Sequence, residues 1–397
     1  MRLALRRGVV AAGCLVLASV CVASALDRAG VDRPDWLRPV VPFAIGSAEA
    51  RNAAIESLRE RQFGKALAAA RDVVRRSPLT TPSTSLLGGV QLAMGQDDAA
   101  DASFRTAALL GWRDPATQSY WLESATAQQA YEVAAERLDA LLRVGASSVE
   151  MLAAEQQIEQ DPVGRAMIAR RLAARPDWRL SFVRRLSDLA SDGRRGRLAV
   201  LANARALGLK MDDDVLGETS FALVQGGAVD DAFALWHIFR GPGDFGSAGV
   251  WDGALTTLPR HIAVNPFVWS AVGDSQAVIE EDRRRFPRAV HVSAGAASRD
   301  DIARTLTRLR PGTYTLSWRA VDENGRAVPG LRFRVDCLGG GAPPGHEVER
   351  GDGGMFRTVV DVPASGCAVQ RVTVYADGEF GADRVEGWIG DPRITPS

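Results

Sequence analysis

The chain reads as a multidomain α and β protein: an N-terminal membrane segment, an α-solenoid of helical hairpins and a C-terminal antiparallel β-sandwich. Three observations carry that expectation. An uncharged apolar run opens the chain, small residues recur at a spacing of 34 behind it, and period-2 alternation with a pair of cysteines marks the last third. The boundaries that follow are 1–27 for the membrane segment, 28–46 for a linker, 47–240 for the hairpins, 241–261 for a connector and 262–397 for the sandwich.

The first element is the run Gly8 to Leu26, preceded by Arg2, Arg6 and Arg7 and followed by Asp27 and Arg28. About 20 apolar residues are needed to cross a bilayer core, so the run is just long enough to stay as an anchor. The leading arginines place its start on the cytoplasmic side. Ala23-Ser24-Ala25 is also an A-x-A site of the type a signal peptidase cuts. Two outcomes are therefore expected: a bacterial inner-membrane protein with its bulk in the periplasm, or a soluble periplasmic protein cut near Ala25. Both export the remainder of the chain.

At 397 residues, with 46% hydrophobic and 24% charged side chains, the chain suits two or three folded units and not wholesale disorder. The formal charges cancel to zero, so no molecule-wide field draws it to nucleic acid.

In the second element, residues 47 to about 240 alternate amphipathic helical runs with short Gly, Pro or Asp breaks. Three segments superimpose at the 34-residue offset. Ala66, Ala100 and Ala134 correspond, as do Ala70, Phe104 and Leu138, and then Val73, Ala107 and Leu141. Within each segment the spacing is i, i+4, i+7, which puts the trio on one helix face. One hairpin cannot bury that face alone, so the units must stack. These residues resemble the tetratricopeptide repeat family over about 47–146. Pro78 stands where that family places its closing proline, whereas Trp112 and Ala146 replace it in the next two units, and the first-helix aromatic is missing or displaced towards Trp121. The resemblance implies an array that holds a protein partner and has no catalytic role. Beyond 146, the runs Ser181–Ala190, Arg197–Leu207, Val215–Val224 and Asp230–Phe239 continue as helical hairpins without a legible register.

Between Arg165 and Arg205 lie eleven arginines against three aspartates, an excess of eight positive charges. Arg170, Arg171, Arg184, Arg185, Arg194 and Arg195 are the candidate anion-binding residues, because guanidinium meets carboxylate and phosphate with two parallel hydrogen bonds. The alternative is a solvated face compensated by Glu150, Glu155, Glu159 and Asp212–Asp214.

The third element follows a Gly, Pro and Asp-rich connector. In Thr313–Ala320 the even positions are apolar, and Leu331, Phe333, Val335 and Cys337 repeat the alternation. Asn324-Gly325 supplies a turn expected to join neighbouring strands. Met355–Val362, Val369–Tyr375 and Val385–Ile389 add strands. Cys337 and Cys367, the only cysteines outside the apolar run, are expected to form a disulfide in an oxidising compartment. The segments Leu309–Leu316 and Gly387–Pro392 are similar to the jelly-roll fold of carbohydrate-binding modules and galactose-binding-like domains. Trp318 shares a face with Leu316 and reads as core. Trp388 has the opposite parity from Val385 and Ile389, which makes it the candidate ring for stacking on a sugar; its alternative is packing against an edge or a helix.

Chemistry is sparsely signalled. His237, His261, His291 and His346 stand singly, Gly339-Gly340-Gly341 lacks a following helix and lysine, and no metal-ligand spacing appears. Glu280-Glu281 and Asp300-Asp301 are paired acids of a type glycosidases could use, although adjacency in sequence does not define the carboxyl separation of about 5–9 Å that such chemistry requires. The expectation is a protein without cofactor or metal, binding a protein partner through its repeats and, as a second partner, polysaccharide. The order of anchor, repeats and sandwich is similar to accessory proteins of bacterial exopolysaccharide synthesis and export. A carbohydrate-binding protein acting through the sandwich is the alternative, and a glycoside-active enzyme the third reading.

Overall fold

The computed structural model describes residues 47–241, 265–272, 289–295, 300–339, 347–378 and 384–397, the backbone of 278–280, Val250 and Leu255, and a few helical residues between 14 and 22. Among the described residues no helix is long and apolar enough to cross a membrane. The anchor and its cleavage site fall largely outside them, as do the linker and most of the connector. The chain divides into two compact units, 1–167 and 168–397.

The first unit is helical: α1 (Ala48–Arg59), α2 (Phe63–Arg76), α3 (Thr81–Ala93), α4 (Asp97–Leu110), α5 (Pro115–Ala127), α6 (Tyr131–Arg143), α7 (Val149–Gln160) and the start of α8 (Pro162–Ala173). Helices pack as the pairs α1–α2, α3–α4 and α5–α6, and α3 also touches α1 and α5. The period lies in the backbone as well as in the core. Arg61, Gly95 and Gln129 take positive φ at 58°, 68° and 56°, and the next amide N–H of each turn donates back five residues, Gln62 to Ser57, Gln96 to Gln91 and Ala130 to Ala125. This is a Schellman closure repeated every 34 residues. The second helices then begin at Phe63, Asp97 and Tyr131, which delivers Ala66, Ala100 and Ala134 to the same depth, all fully buried. The other ends repeat too, since Thr80, Asp114 and Ser148 are the N-cap residues of α3, α5 and α7. Asp114 accepts from the Thr117 amide at 2.9 Å and Ser148 from the Met151 amide at 3.1 Å, satisfying donors that a helix start leaves open. Between α7 and α8 the pattern breaks. A single residue, Asp161, joins them, and a Cβ on Gly164 would lie 2.3 Å from the Ile158 carbonyl oxygen, so only glycine fits.

The second unit continues from α8 with α9 (Arg179–Arg184), a 3₁₀ turn (Arg185–Asp188), α10 (Ser191–Ala206), α11 (Asp213–Gln225) and α12 (Val229–Arg240). The pair α11–α12 repeats the earlier geometry. Gly227 has φ 76°, the Ala228 amide donates to Leu223, and Ala232, Trp236 and Phe239 form a buried trio at i, i+4, i+7. This gives residues 213–240 a hairpin register, with Gly226–Ala232 forming the turn into a second helix that the sequence suggests.

The strands are β1 (Ser270–Ala271), β2 (Val278–Glu280), β3 (Ala289–Gly295), β4 (Asp300–Thr307), β5 (Gly312–Val321), β6 (Leu331–Cys337), β7 (Glu349–Arg350), β8 (Met355–Val362), β9 (Gln370–Ala376) and β10 (Arg384–Pro396). They form two antiparallel sheets, β1-β4-β9-β6 and β2-β3-β10-β5-β8-β7. One apolar core draws on both sheets: Leu316, Trp318, Val360 and Ile389 from one, Ile302, Phe333, Val372 and Val374 from the other. Trp318 is fully buried there, as its parity predicts.

The Asn324-Gly325 turn forms, with Gly325 at φ 75° and the Asp322 carboxylate accepting from the Asn324 and Arg326 amides. It does not join hydrogen-bonded neighbours, because β5 and β6 lie in different sheets. The reason lies just downstream: Pro329 cannot donate to a ladder, and the chain leaves the β5 edge after one bridge, Val321 to Ala327. Gly390 to Arg393 is a bulge in β10, with Asp391 at φ 55° and Pro392 inside the irregularity, the place where a strand tolerates proline.

Cys337 and Cys367 form a disulfide across 30 residues of sequence. The buried Gln370 side chain bonds the Cys367 carbonyl at 2.5 Å and accepts from the Leu309 amide at 2.7 Å, so the bridge is tied to the end of β4. Replacing both cysteines with serine is expected to destabilise this unit by about 3–4 kcal/mol through the freed unfolded chain. Denaturant melts of oxidised and reduced wild type beside the double variant check this; a variant as stable as the oxidised protein would refute it.

Candidate functional site

The arginine-rich stretch lies on α8 to α10, and the structure spends much of its charge internally. Arg184 meets Glu218 at 3.1 Å, Arg194 meets Asp231 at 2.5 Å and Arg195 meets Asp192 at 3.4 Å. Arg197 is fully buried, its guanidinium 3.7 Å above the Phe182 ring and donating to the Phe182 carbonyl at 2.9 Å. Three of the six candidate anion-binding arginines, Arg184, Arg194 and Arg195, therefore already hold carboxylates. The compensating acids come from α10, α11 and α12, and Glu218 and Asp231 are ones that the sequence did not single out. Arg170 and Arg185 also have partners, and Arg171 is half-buried on α8.

Trp388 is placed against expectation for a sugar platform. Its parity does turn it off the main core, but Ala289 and Val321 from the flanking strands cover it, with the His291 ring 4.8 Å away. At 7% exposure it offers no open face for a sugar. His291 lies 3.5 Å from Glu386.

Of the acid pairs, the Asp301 carboxylate receives both arms of Arg334 at 2.8 and 2.6 Å, while Asp336 takes the third donor at 2.8 Å. Burial alone would lower the Arg334 pKa; the bonds and charges of the two aspartates outweigh it and raise the value. Arg334 also stacks 5.2 Å above Tyr375, so the group fastens β4, β9 and β6 on one sheet face. Glu281, His261, His346, Gly340 and Gly341 lie outside the described residues, as does the Glu280 side chain. Among the described residues no group of three potential ligands could hold a metal ion.

Within the second unit, α12 packs against the start of the sheet region. Phe267 lies 4.5 Å from the Phe233 ring and 5.6 Å from Trp236, and Arg308 sits 4.6 Å above Phe233 while pairing with Asp230. A Cβ on Gly217 would meet Asn265 at 2.8 Å, so α11 approaches as closely as glycine allows. His237 is held below its ordinary pKa by burial and by the Arg308 charge. A cavity of about 310 Å³ lies between Gly227, Val229 and Asp230 of this hairpin and Leu338, Gly366 and Val369 beside the disulfide.

In the first unit the open feature is a groove of about 540 Å³ lined by Ala68, Arg71, Val74 and Arg75 of α2 and Leu87 of α3. Its α2 wall is the solvent-facing stripe beside the buried trio Ala66, Ala70 and Val73. Sequence periodicity identified the trio and passed over the stripe, although Ala68, Arg71 and Arg75 follow the same helical period. Ala70, Phe104 and Leu138 all pack in the hairpin core. Tyr120 of the first helix in this hairpin stacks on Phe104 at 4.1 Å, with Trp121 its neighbour at 5.2 Å. Leu79, Leu109 and Trp112 are exposed at or beside the turns between hairpins.

No protein-family model matches the chain, and no curated protein matches it.

Proposed function

We propose that this is a non-catalytic cell-envelope scaffold whose tetratricopeptide-like hairpins take a protein partner, accessory to polysaccharide synthesis or export. The observation that carries the reading is the 34-residue backbone period, in which the first three hairpins are closed by the same turn at Arg61, Gly95 and Gln129. Such regularity fixes the spacing of successive helices and so presents evenly spaced side chains to an elongated ligand. Bonded acids and singly placed histidines add no support for the glycoside-active alternative. The carbohydrate-binding alternative rests on the jelly-roll resemblance of the sandwich, with Trp388 too enclosed to serve it. The anchor and the inner-membrane location remain part of the proposal.

Site-specific photo-crosslinking in cells tests it, with probes on exposed positions such as Leu109 and Trp112. Adducts with identified components of the polysaccharide polymerase or export complex are the expected result. Turnover of envelope polysaccharide by the purified protein, or crosslinks confined to unrelated proteins, would overturn the reading.

A further inference from the structure

We infer that the groove between α2 and α3 docks an acidic peptide segment carrying aliphatic side chains, a specification that rests on the hairpins being protein-binding. Charge and its lack of compensation carry the argument. Helix α2 bears Lys65, Arg71, Arg75 and Arg76 against Asp72 alone. That aspartate pairs with Arg76 at 2.6 Å and with Arg75 at 3.7 Å, so one carboxylate serves two guanidiniums. Among the described residues no carboxylate lies within ion-pair distance of Arg71. The opposite wall cannot supply one, because α3 contains no ionisable side chain. On α1, Glu56 is already paired with Arg59.

The same stripe in the next hairpins is different. On α4 it carries Asp98, Ala102, Arg105 and Leu109, and Arg105 is paired with Asp101. On α6 it carries Glu132, Glu136, Asp139 and Arg143, and Arg143 is held by Asp139 at 2.9 Å. Along this stripe, among the described residues, Arg71 is the guanidinium left to an outside acid, and its neighbour Arg75 shares the single Asp72 carboxylate with Arg76.

Apolar lining decides the class of ligand. Ala68, Val74 and Leu87 bound the groove beside the two arginines, so an occupant meets apolar surface and guanidinium together. A polyuronate or a phosphate would satisfy the arginines but leave Val74 and Leu87 against polar groups. A peptide with carboxylates interleaved with aliphatic side chains satisfies both walls. The volume is within the range of small-ligand pockets and suits a few side chains of an extended segment.

The test is selection of a displayed random-peptide library on the full chain, beside the Arg71→Glu/Arg75→Glu variant. Both arginines are exposed, so the variant should keep its fold, which circular dichroism verifies. Enriched peptides are expected to combine Asp or Glu with Leu, Ile or Val. Their affinity is expected to fall at least about tenfold on charge reversal, the scale of one well-made ion pair, and at high salt. A fresh selection on the variant should enrich Lys and Arg. Absence of an acidic bias, or equal binding by both proteins, overturns the proposal. So does tighter, variant-sensitive binding of an oligouronate or of anionic lipid vesicles. If in-cell crosslinks to the polysaccharide machinery persist in the charge-reversed protein, the groove assignment falls while the scaffold stands. Acidic selection without those crosslinks sinks the scaffold and leaves the groove.

Discussion

Truncating Trp318 to alanine is expected to cost the second unit about 3–5 kcal/mol, among the largest effects of any single change in it. The indole is fully buried where the two sheets face each other. It contacts the Phe356 ring of its own sheet at 5.7 Å and the Phe333 ring of the other at 6.0 Å. Its Nε1 donates to the Leu331 carbonyl at 3.1 Å, at the point where the chain has just crossed between sheets. Alanine would open a cavity that both sheets line and strand that carbonyl, so the transfer and desolvation losses add. Trp318→Phe separates them, since it restores much of the ring volume and leaves the carbonyl unpaired. It is expected to recover more than half the loss. Chemical denaturation followed by near-ultraviolet circular dichroism reads both, and a loss below about 1 kcal/mol for the alanine variant would contradict the core assignment.

In the first unit, Phe104→Ala is expected to cost about 3–5 kcal/mol. Phe104 reaches from α4 to two first helices at once: its ring lies flat on Tyr120 of α5, and a Cβ on Gly88 of α3 would touch it at 3.0 Å. The loss therefore falls on the interface between hairpins, and an array of nearest-neighbour contacts should respond by local opening around α3 to α5. Hydrogen exchange of those amides reports it directly. Gly88→Ala sets overpacking on Phe104 against the ~1 kcal/mol that alanine gains over glycine inside a helix, and it should be more favourable by at least about 1 kcal/mol in the Phe104→Ala background, where its methyl enters vacated space. Additive effects of the two changes would refute the contact.

What the sequence made legible, and what it did not, follows from how locally each feature is determined. The trios led by Ala66, Ala100 and Ala134 were readable because helix period and repeat length act within a few turns of chain. The disulfide was readable because two cysteines allow one pairing. Strands β3 and β4 were not. Asp300–Thr307 opens with two acids, as a helix start does, and becomes a strand because β9 offers it a partner distant in sequence. The sheet change after Val321 was hidden for the same reason: a turn sequence defines its own hydrogen bonds, while pairing beyond it depends on the whole sandwich. The partners of the arginine stretch were hidden in a third way, since net charge along a segment says nothing of Glu218 and Asp231 arriving from later helices. The groove at Arg71 was in plain view in the helical period but gained meaning only once α3 was placed beside it.

The turns at Arg61, Gly95 and Gln129 set a unit of exchange. Each hairpin is latched by its own main chain, so a block such as Phe63–Gln96 can be excised or duplicated as a cassette that leaves every latch and every cap in frame, whereas an insertion of any other length inside a helix throws the alanines downstream off their shared face. A change in the number of hairpins that keeps these joints must therefore come in whole steps of the period.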